Sequence, residues 1–503
     1  MPTTATSGPS VLLDFTTFTN TIDGKQTTTA KTRHSTNPST LEANPEVPVS
    51  TEEDVVRAVE AARKAYSTWR RTTYAERQRC LEAFADGIVA NLEGFATMLT
   101  REQGRPVALA RMEVATTAER LKLTAALELK DEIIADDKER GGQTVVKRYT
   151  PLGVACGIVP WNFPIGLAAA KLSAAVLTGN TFIMKPSPFT PCANLKMAEL
   201  AQQFFPPGVV QCLSGDDRLG PWLTEHPGID KVSFTGSVAT GKRIVQSCSH
   251  TLKRVTLELG GNDAAIVFPD VKDVAATAAA LAQACFFNTS QICIAIKRVY
   301  VHAAIYSAFR AAFVAAANGF VYGDGLAPQG PGKPAPFMGP LTTEMQYRHV
   351  QTLLDAVRAT RLDVVRGDDG RDPLATATDT QDAGKGFFVR PVVVDNPPDS
   401  ARVVAEEAFG PIVPLLQWTD EEDVIRRAND TRLGLGASVW SADLAHAAEV
   451  ARRLEAGNVW VNTHMMSHPA APFGGHKWSG IGVEGGVDGL KQYCDIQVLY
   501  LAN

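Results

Sequence analysis

The sequence predicts an α/β fold in which mostly parallel sheets are covered by helices on both faces. Three observations predict it. From about residue 150, short apolar runs of strand length alternate with helical segments, the pattern of βαβ units. At 503 residues the chain is long enough for two or three domains with large cores. Apolar content of 45% with 20% charged residues is ordinary for a soluble protein.

The elements follow in order. Residues 1 to about 50 are rich in Thr, Ser and Pro, with a turn signal at Asp23-Gly24-Lys25 suited to joining two short strands. STEEDVVRAVEAARKAYSTWR then opens at Ser50, carries acids in its first turn and repeats apolar residues at three- and four-residue steps, which predicts a helix. More helix is expected to about residue 136. The runs GVACGIVP, NTFIMKP, GVVQCLSG, KVSFTGS and RVTLELGG next alternate with helical AAAKLSAAVL and ANLKMAELAQQF. The alternation resumes through AAIVF, KRVYVH, GFFVRPVVV, ASVW and VWVN, enough for a second α/β unit. The tail DIQVLYLAN reads as one more strand. No internal repeat or extended low-complexity tract is evident.

Composition excludes several classes. A net charge of −5 gives no general attraction to nucleic acid or anionic membrane. Eight cysteines, at 80, 156, 192, 212, 248, 285, 293 and 494, form no CxxC pair and suit free thiols in a reducing compartment. Nine histidines show no metal-type grouping, so no metal is expected. The N-terminus lacks the marks of a signal or transit peptide, and no run approaches 18 apolar residues. A cytoplasmic protein is the expectation.

Four stretches carry candidate chemistry. In FFNTSQICIAIK, Cys293 sits in a short polar turn between apolar runs, where a cysteine either packs or acts as a nucleophile. Glu258 ends an apolar strand before Gly260-Gly261; it is either a solvated strand end or a buried base whose burial raises its pKa. Asn162 lies in a turn between Pro160 and Pro164, where its amide can cap the next helix or donate to an oxyanion. FTGSVATGKR looks like a phosphate loop before a helix, but Arg243 stands where a P-loop needs Ser or Thr. That loop carries no GxGxxG.

Taken together, PWNFP, MKPS, FTGS, LELGGND, FFNTSQIC, EEAFGP, NDTRLGLGASVW and APFGGHKWSGIGVEGG occur in the order seen in the aldehyde dehydrogenase superfamily. The chain resembles that family from about residue 35 to its C-terminus, and most closely its non-acylating, NAD(P)-dependent branch. The resemblance implies that Cys293 attacks the aldehyde and that Asn162 with the Cys293 N–H holds the oxyanion. It also implies that Glu258 activates the hydrolytic water, with Lys171 and Glu484 on a proton path behind it. Val159, Trp161, Lys185, Ser187, Pro188, Gly215, Gly236 and Ser237 match cofactor-contact positions. Glu407 and Phe409 match positions that orient the nicotinamide ribose and ring. Phe163, Leu167, Phe287, Ile292, Ile294, Met465, Met466 and Phe473 match tunnel or near-tunnel positions; all are apolar and include no arginine, which favours an aliphatic or aromatic aldehyde over a semialdehyde.

The resemblance further implies an aldehyde dehydrogenase-like fold in three parts. These are a cofactor-binding domain (1–138 and 161–258), a catalytic domain (259–463) and a β flap for oligomerisation (139–160 and 483–503). Isolated two-stranded ribbons are marginal in water, so the flap suggests a homodimer or homotetramer. Three departures stand out. Ser290 replaces the usual glycine before Gln291, at a place where a positive φ or a close ligand would favour glycine. Ala295-Ile296-Lys297-Arg298 replaces a commoner Gly-Ser pair and reads as a tolerated surface-strand difference. Pro188 stands three residues after Lys185, where NAD-preferring members carry Glu, so NAD is expected with NADP tolerated. The rival readings are a CoA-acylating dehydrogenase, whose members generally lack the glutamate at Glu258, and a non-catalytic protein on the same fold.

Overall fold

Two doubly covered sheets form the body of the chain. The computed structural model describes residues 12–136, 142–327, 334–365 and 385–502. The first sheet has eight strands in the order Lys25–Thr27, Asn20–Ile22, Val210–Cys212, Thr181–Lys185, Val154–Ile158, Lys231–Thr235, Arg254–Glu258, Gly480–Ile481. Its five inner strands run parallel, and the outer pairings are antiparallel. The strands read as continuous apolar runs because both faces are buried. On one face Val154, Cys156, Ile158 and Ile183 pack with Val55, Val59 and Ala62 of helix Glu52–Trp69. On the other, Ala155, Phe182 and Met184 pack with helices Pro164–Leu177 and Cys192–Ala201. The expected turn at Asp23-Gly24 is a hairpin with both residues at positive φ, 49° and 76°.

The second sheet is parallel throughout, in the order Val392–Asp395, Ile412–Trp418, Ile296–His302, Asp263–Val267, Gly436–Trp440, Asn458–Val461. Helices Val274–Phe286 and Tyr306–Asn318 cover one face, and Glu344–Ala359, Glu421–Asn429 and Leu444–Arg452 the other. A three-stranded antiparallel flap, Cys494–Ala502, Gln143–Pro151 and Glu132–Asp136, stands beside them.

The strands correct the expected boundaries. Glu132–Asp136, placed by the sequence in residues 1–138, pairs with Gln143–Pro151 and belongs to the flap. Val154–Ile158, placed in the flap, is a buried central strand of the eight-stranded sheet, because its residues are apolar on both faces. The first helix begins at Glu52, one step later than its signal. Thr51 rather than Ser50 caps it, in a reciprocal box with Asp54, while the Ser50 hydroxyl donates to Ser214 O. Among the described residues no helix is long and apolar enough to cross a membrane.

Candidate active site

The Cys293 turn begins where helix Val274–Phe286 stops. Asn288, Thr289 and Ser290 then adopt positive φ in succession, at 52°, 55° and 61°. For residues with a Cβ this left-handed turn costs about 1–2 kcal/mol each and needs surrounding bonds to hold it. Those bonds are present. The Ser290 hydroxyl donates to Cys285 O at 2.6 Å and Thr289 Oγ1 to Gly339 O at 2.9 Å. Thr342 N donates to Gln291 Oε1 at 2.8 Å. The left-handed φ explains why glycine suits position 290, and the hydroxyl bond is what serine offers in exchange. Cys293 follows, half-buried, and its N–H has no acceptor among the described residues.

Asn162 reaches this turn directly. It is buried between strand Val154–Ile158 and helix Pro164–Leu177, and its Nδ2 donates to Gln291 O at 3.0 Å. The helix does not need it as a cap. Glu113 Oε1 accepts from Ile165 N at 3.1 Å and Gly166 N at 3.0 Å, filling that role from a distant helix. Arg105, fully buried, pairs with Glu113, donates to Asn162 O and lies over the Phe163 ring at 4.4 Å. This clamp was not legible in the sequence, where Arg105 follows a helix without any motif.

Glu258 closes strand Arg254–Glu258 and is buried, and neither carboxylate oxygen has a hydrogen-bond partner among the described residues. Burial pushes its pKa well above the ordinary carboxylate value; the nearby Glu484 charge adds to this and Lys171 opposes it. Behind it, Lys171 Nζ contacts Thr235 Oγ1 at 2.8 Å and pairs with Glu484. Ser233 Oγ donates to Glu484 Oε1 at 2.9 Å. Parallel register sets this up: Thr235 lies opposite Glu258 and Ser233 opposite Thr256, so the polar groups share one face of the sheet. Glu484 is held in turn by paired backbone bonds with Phe473, both 2.7 Å.

The reading of residues 295–298 as a surface-strand difference is wrong. Strand Ile296–His302 is central in its sheet, and Lys297 and Arg298 are only 4% and 3% exposed. Arg298 ties Asn262 O at 2.8 Å and Ala428 O at 2.8 Å on one side. Lys297, on the other, donates to Ile292 O at 2.9 Å and Cys293 O at 2.7 Å and lies 3.6 Å from Glu407 Oε1. Asp263 is fully buried nearby. A Cβ on Gly436 or Gly261 would lie 2.1 or 2.7 Å from its oxygens, so those positions have no room for a side chain. Burial raises the Asp263 pKa to about 7, with Lys297 opposing. Burial also pushes the Cys293 thiol up to about 12, and Lys297 pulls it down.

Ser237 caps helix Val238–Ser249 through Thr240 N at 3.2 Å, and Val238 and Ala239 N–H have no acceptor among the described residues. Gly236 precedes it, bonded to Glu258 O at 3.0 Å. Lys185 ends strand Thr181–Lys185 and Val159 N donates to its carbonyl at 3.0 Å; Ser187 and Pro188 form the next turn. Arg33, which no motif flagged, donates to Gly215 O at 3.1 Å, and its charge acts on Lys185. Trp161 and Phe409 meet edge to face at 5.4 Å, and Glu407 Oε1 accepts from Gly261 N at 3.1 Å. Of the tunnel positions, Ile292 is buried, while Phe163, Leu167, Phe287, Ile294, Met465 and Phe473 are half-buried and Met466 is exposed. Arg120 contacts Ser467 Oγ, one residue beyond Met466, so an arginine does stand beside this loop.

Residues 25–499 match the model of the aldehyde dehydrogenase family. The chain is 40% identical over 489 residues to aldehyde dehydrogenase LUC3 of a Fusarium species, covering 97% of this chain and 100% of that one. It is 34% identical over 481 residues to 2-aminomuconic semialdehyde dehydrogenase of Danio rerio, covering 95% and 96%. The NAD+ complex of a Bacillus cereus aldehyde dehydrogenase superposes with a TM-score of 0.90 at 33% identity, covering 96% of each chain.

Proposed function

The chain belongs to the aldehyde dehydrogenase family, and from that premise we propose that it oxidises an aldehyde to the carboxylic acid with Cys293 as its nucleophile and NAD or NADP as its cofactor. The observation that carries the reading is the unpartnered, buried Glu258 carboxylate whose charge is felt at the Cys293 thiol. A buried carboxylate without partners is costly, and a proton-accepting role accounts for its retention. Cys293 loses its thiol proton and attacks the aldehyde carbon; the Cys293 N–H and Asn162 amide hold the oxyanion. Hydride loss leaves a thioester, and Glu258 takes a proton from the water that hydrolyses it. Lys171 and Glu484 carry that proton onward.

The residues fit a dinucleotide. Free N–H groups at the start of helix Val238–Ser249, with Gly236 and Ser237, suit a diphosphate. Lys185, Ser187 and Arg33 suit the adenosine side, Trp161 and Phe409 the ring, and Glu407 the ribose hydroxyls. When bound, the nicotinamide supplies the hydride acceptor. The chain works as a homo-oligomer through its flap.

The half-buried apolar side chains at the expected tunnel positions favour an aliphatic or aromatic aldehyde. Arg120 favours a second reading, an aldehyde bearing a carboxylate. An aldehyde panel assayed with both cofactors decides between them: apolar aldehydes are expected to give the higher kcat/KM, and acyl-CoA formation on adding CoA would overturn the hydrolytic route.

A further inference from the structure

The carbonyls of the Cys293 turn are gripped by side chains in an unbroken run. Asn162 Nδ2 takes Gln291 O at 3.0 Å. Lys297 Nζ takes Ile292 O, Cys293 O and Ala295 O at 2.9, 2.7 and 3.3 Å. His464 Nε2, held neutral by burial, donates to Ile294 O at 2.7 Å. An ammonium has three N–H donors, and here all three go to the main chain of one turn. Beside these three bonds Lys297 keeps an ion pair with Glu407 Oε1 at 3.6 Å.

We propose that Lys297 is the positioning residue of the Cys293 turn, aiming and polarising the Cys293 N–H and placing a fixed positive charge behind the sulfur. In a trans peptide the C=O and N–H point in opposite directions. Ile292 O and the Cys293 N–H belong to one peptide unit, so binding that oxygen to Lys297 turns the N–H away from the ammonium, where it finds no acceptor among the described residues. The bound cation draws electron density towards the carbonyl and makes that N–H a stronger donor to an oxyanion. The groups whose charges reach the thiol are Lys297, Glu407, Asp263 and Glu258, and three of these four are carboxyls. Lys297 is the one cation among them. Without it, a thiolate would form facing carboxylates alone. Asp263, itself buried against Gly436, feels the Lys297 charge as well.

The inference rests on Cys293 being the nucleophile, and the experiment separates the two. Lys297→Gln keeps a donor and removes the charge; Asp263→Asn/Lys297→Gln removes both charges together, for the case in which the single variant does not fold. Alkylation of Cys293 by iodoacetamide is followed against pH by mass spectrometry of its peptide, beside the pre-steady-state burst of reduced cofactor. The expected result is an alkylation midpoint higher by about one pH unit, hence roughly tenfold slower alkylation below it, and a burst at least about tenfold slower, with the aldehyde KM changed less than about threefold. A merely structural lysine would not move the alkylation midpoint. A folded variant with wild-type alkylation and burst overturns the role of Lys297 while the nucleophile stands. Cys293→Ala retaining turnover removes the nucleophile itself, and the inference with it.

Discussion

We propose that Pro188 bears on cofactor choice through what it lacks. It offers neither an acceptor for ribose hydroxyls nor a charge to repel a 2′-phosphate, while Lys185, Ser187 and Arg33 remain to receive one. Burial, then the Arg33 charge, pull Lys185 below the ordinary lysine value, and a phosphate would favour its charged form. Pro188→Glu is expected to swing the NAD/NADP ratio of kcat/KM towards NAD by roughly ten- to hundred-fold, mainly by weakening NADP. An unmoved ratio, measured with both cofactors, removes Pro188 from selection. Single residues were unevenly legible. The departure at Ser290 was visible because glycine has a conformational meaning, and its φ of 61° supplies that meaning. Lys297 was misread because a lysine in a strand reads as solvated; only the strand order makes position 297 interior.

At the scale of elements, one strand, one helix and one loop surround Glu258, the proposed base. Strand Lys231–Thr235 lends Ser233 and Thr235, helix Pro164–Leu177 lends Lys171, and Glu484 arrives from a loop. Burial raises the Glu258 pKa most and the Glu484 charge adds to it, so neutralising Glu484 lowers that pKa. Because the base acts deprotonated, the acidic limb of the steady-state pH profile in Glu484→Gln is expected to shift to lower pH, and that of Lys171→Met to higher pH. Limbs that stay in place would detach Glu258 from this pair. The sequence located Glu258, Lys171 and Glu484 through motif resemblance but not Ser233 or Thr235, and apolar periodicity alone left Glu258 and Asn162 with two readings each. The capping reading of Asn162 falls because Glu113 accepts from the first helix N–H groups in its stead.

For the whole molecule, the two α/β sheets were legible from strand and helix alternation, but the flap boundaries were not. Glu132–Asp136 follows helix without a break in texture, and Val154–Ile158 adjoins flap residues; pairing partners, not composition, assign both. The flap's outer strand leaves Ile496, Val498 and Tyr500 exposed at 63%, 40% and 68%, on one face by alternation. Such a patch suits burial in the proposed oligomer contact. Val498→Glu/Tyr500→Lys is expected to reduce the assembly in sedimentation experiments; an unchanged sedimentation coefficient would place the oligomer interface elsewhere.

The central claim is that Cys293 carries the acyl group and Glu258 releases it. Mixing the Glu258→Gln variant with aldehyde and cofactor, quenching in acid and mapping peptides by mass spectrometry tests it most directly. The expected result is a burst of reduced cofactor near one per subunit, followed by a nearly halted steady state, with the acyl mass on the peptide bearing Cys293. An acyl mass on another cysteine, or full steady-state turnover with no adduct at Cys293, would contradict it.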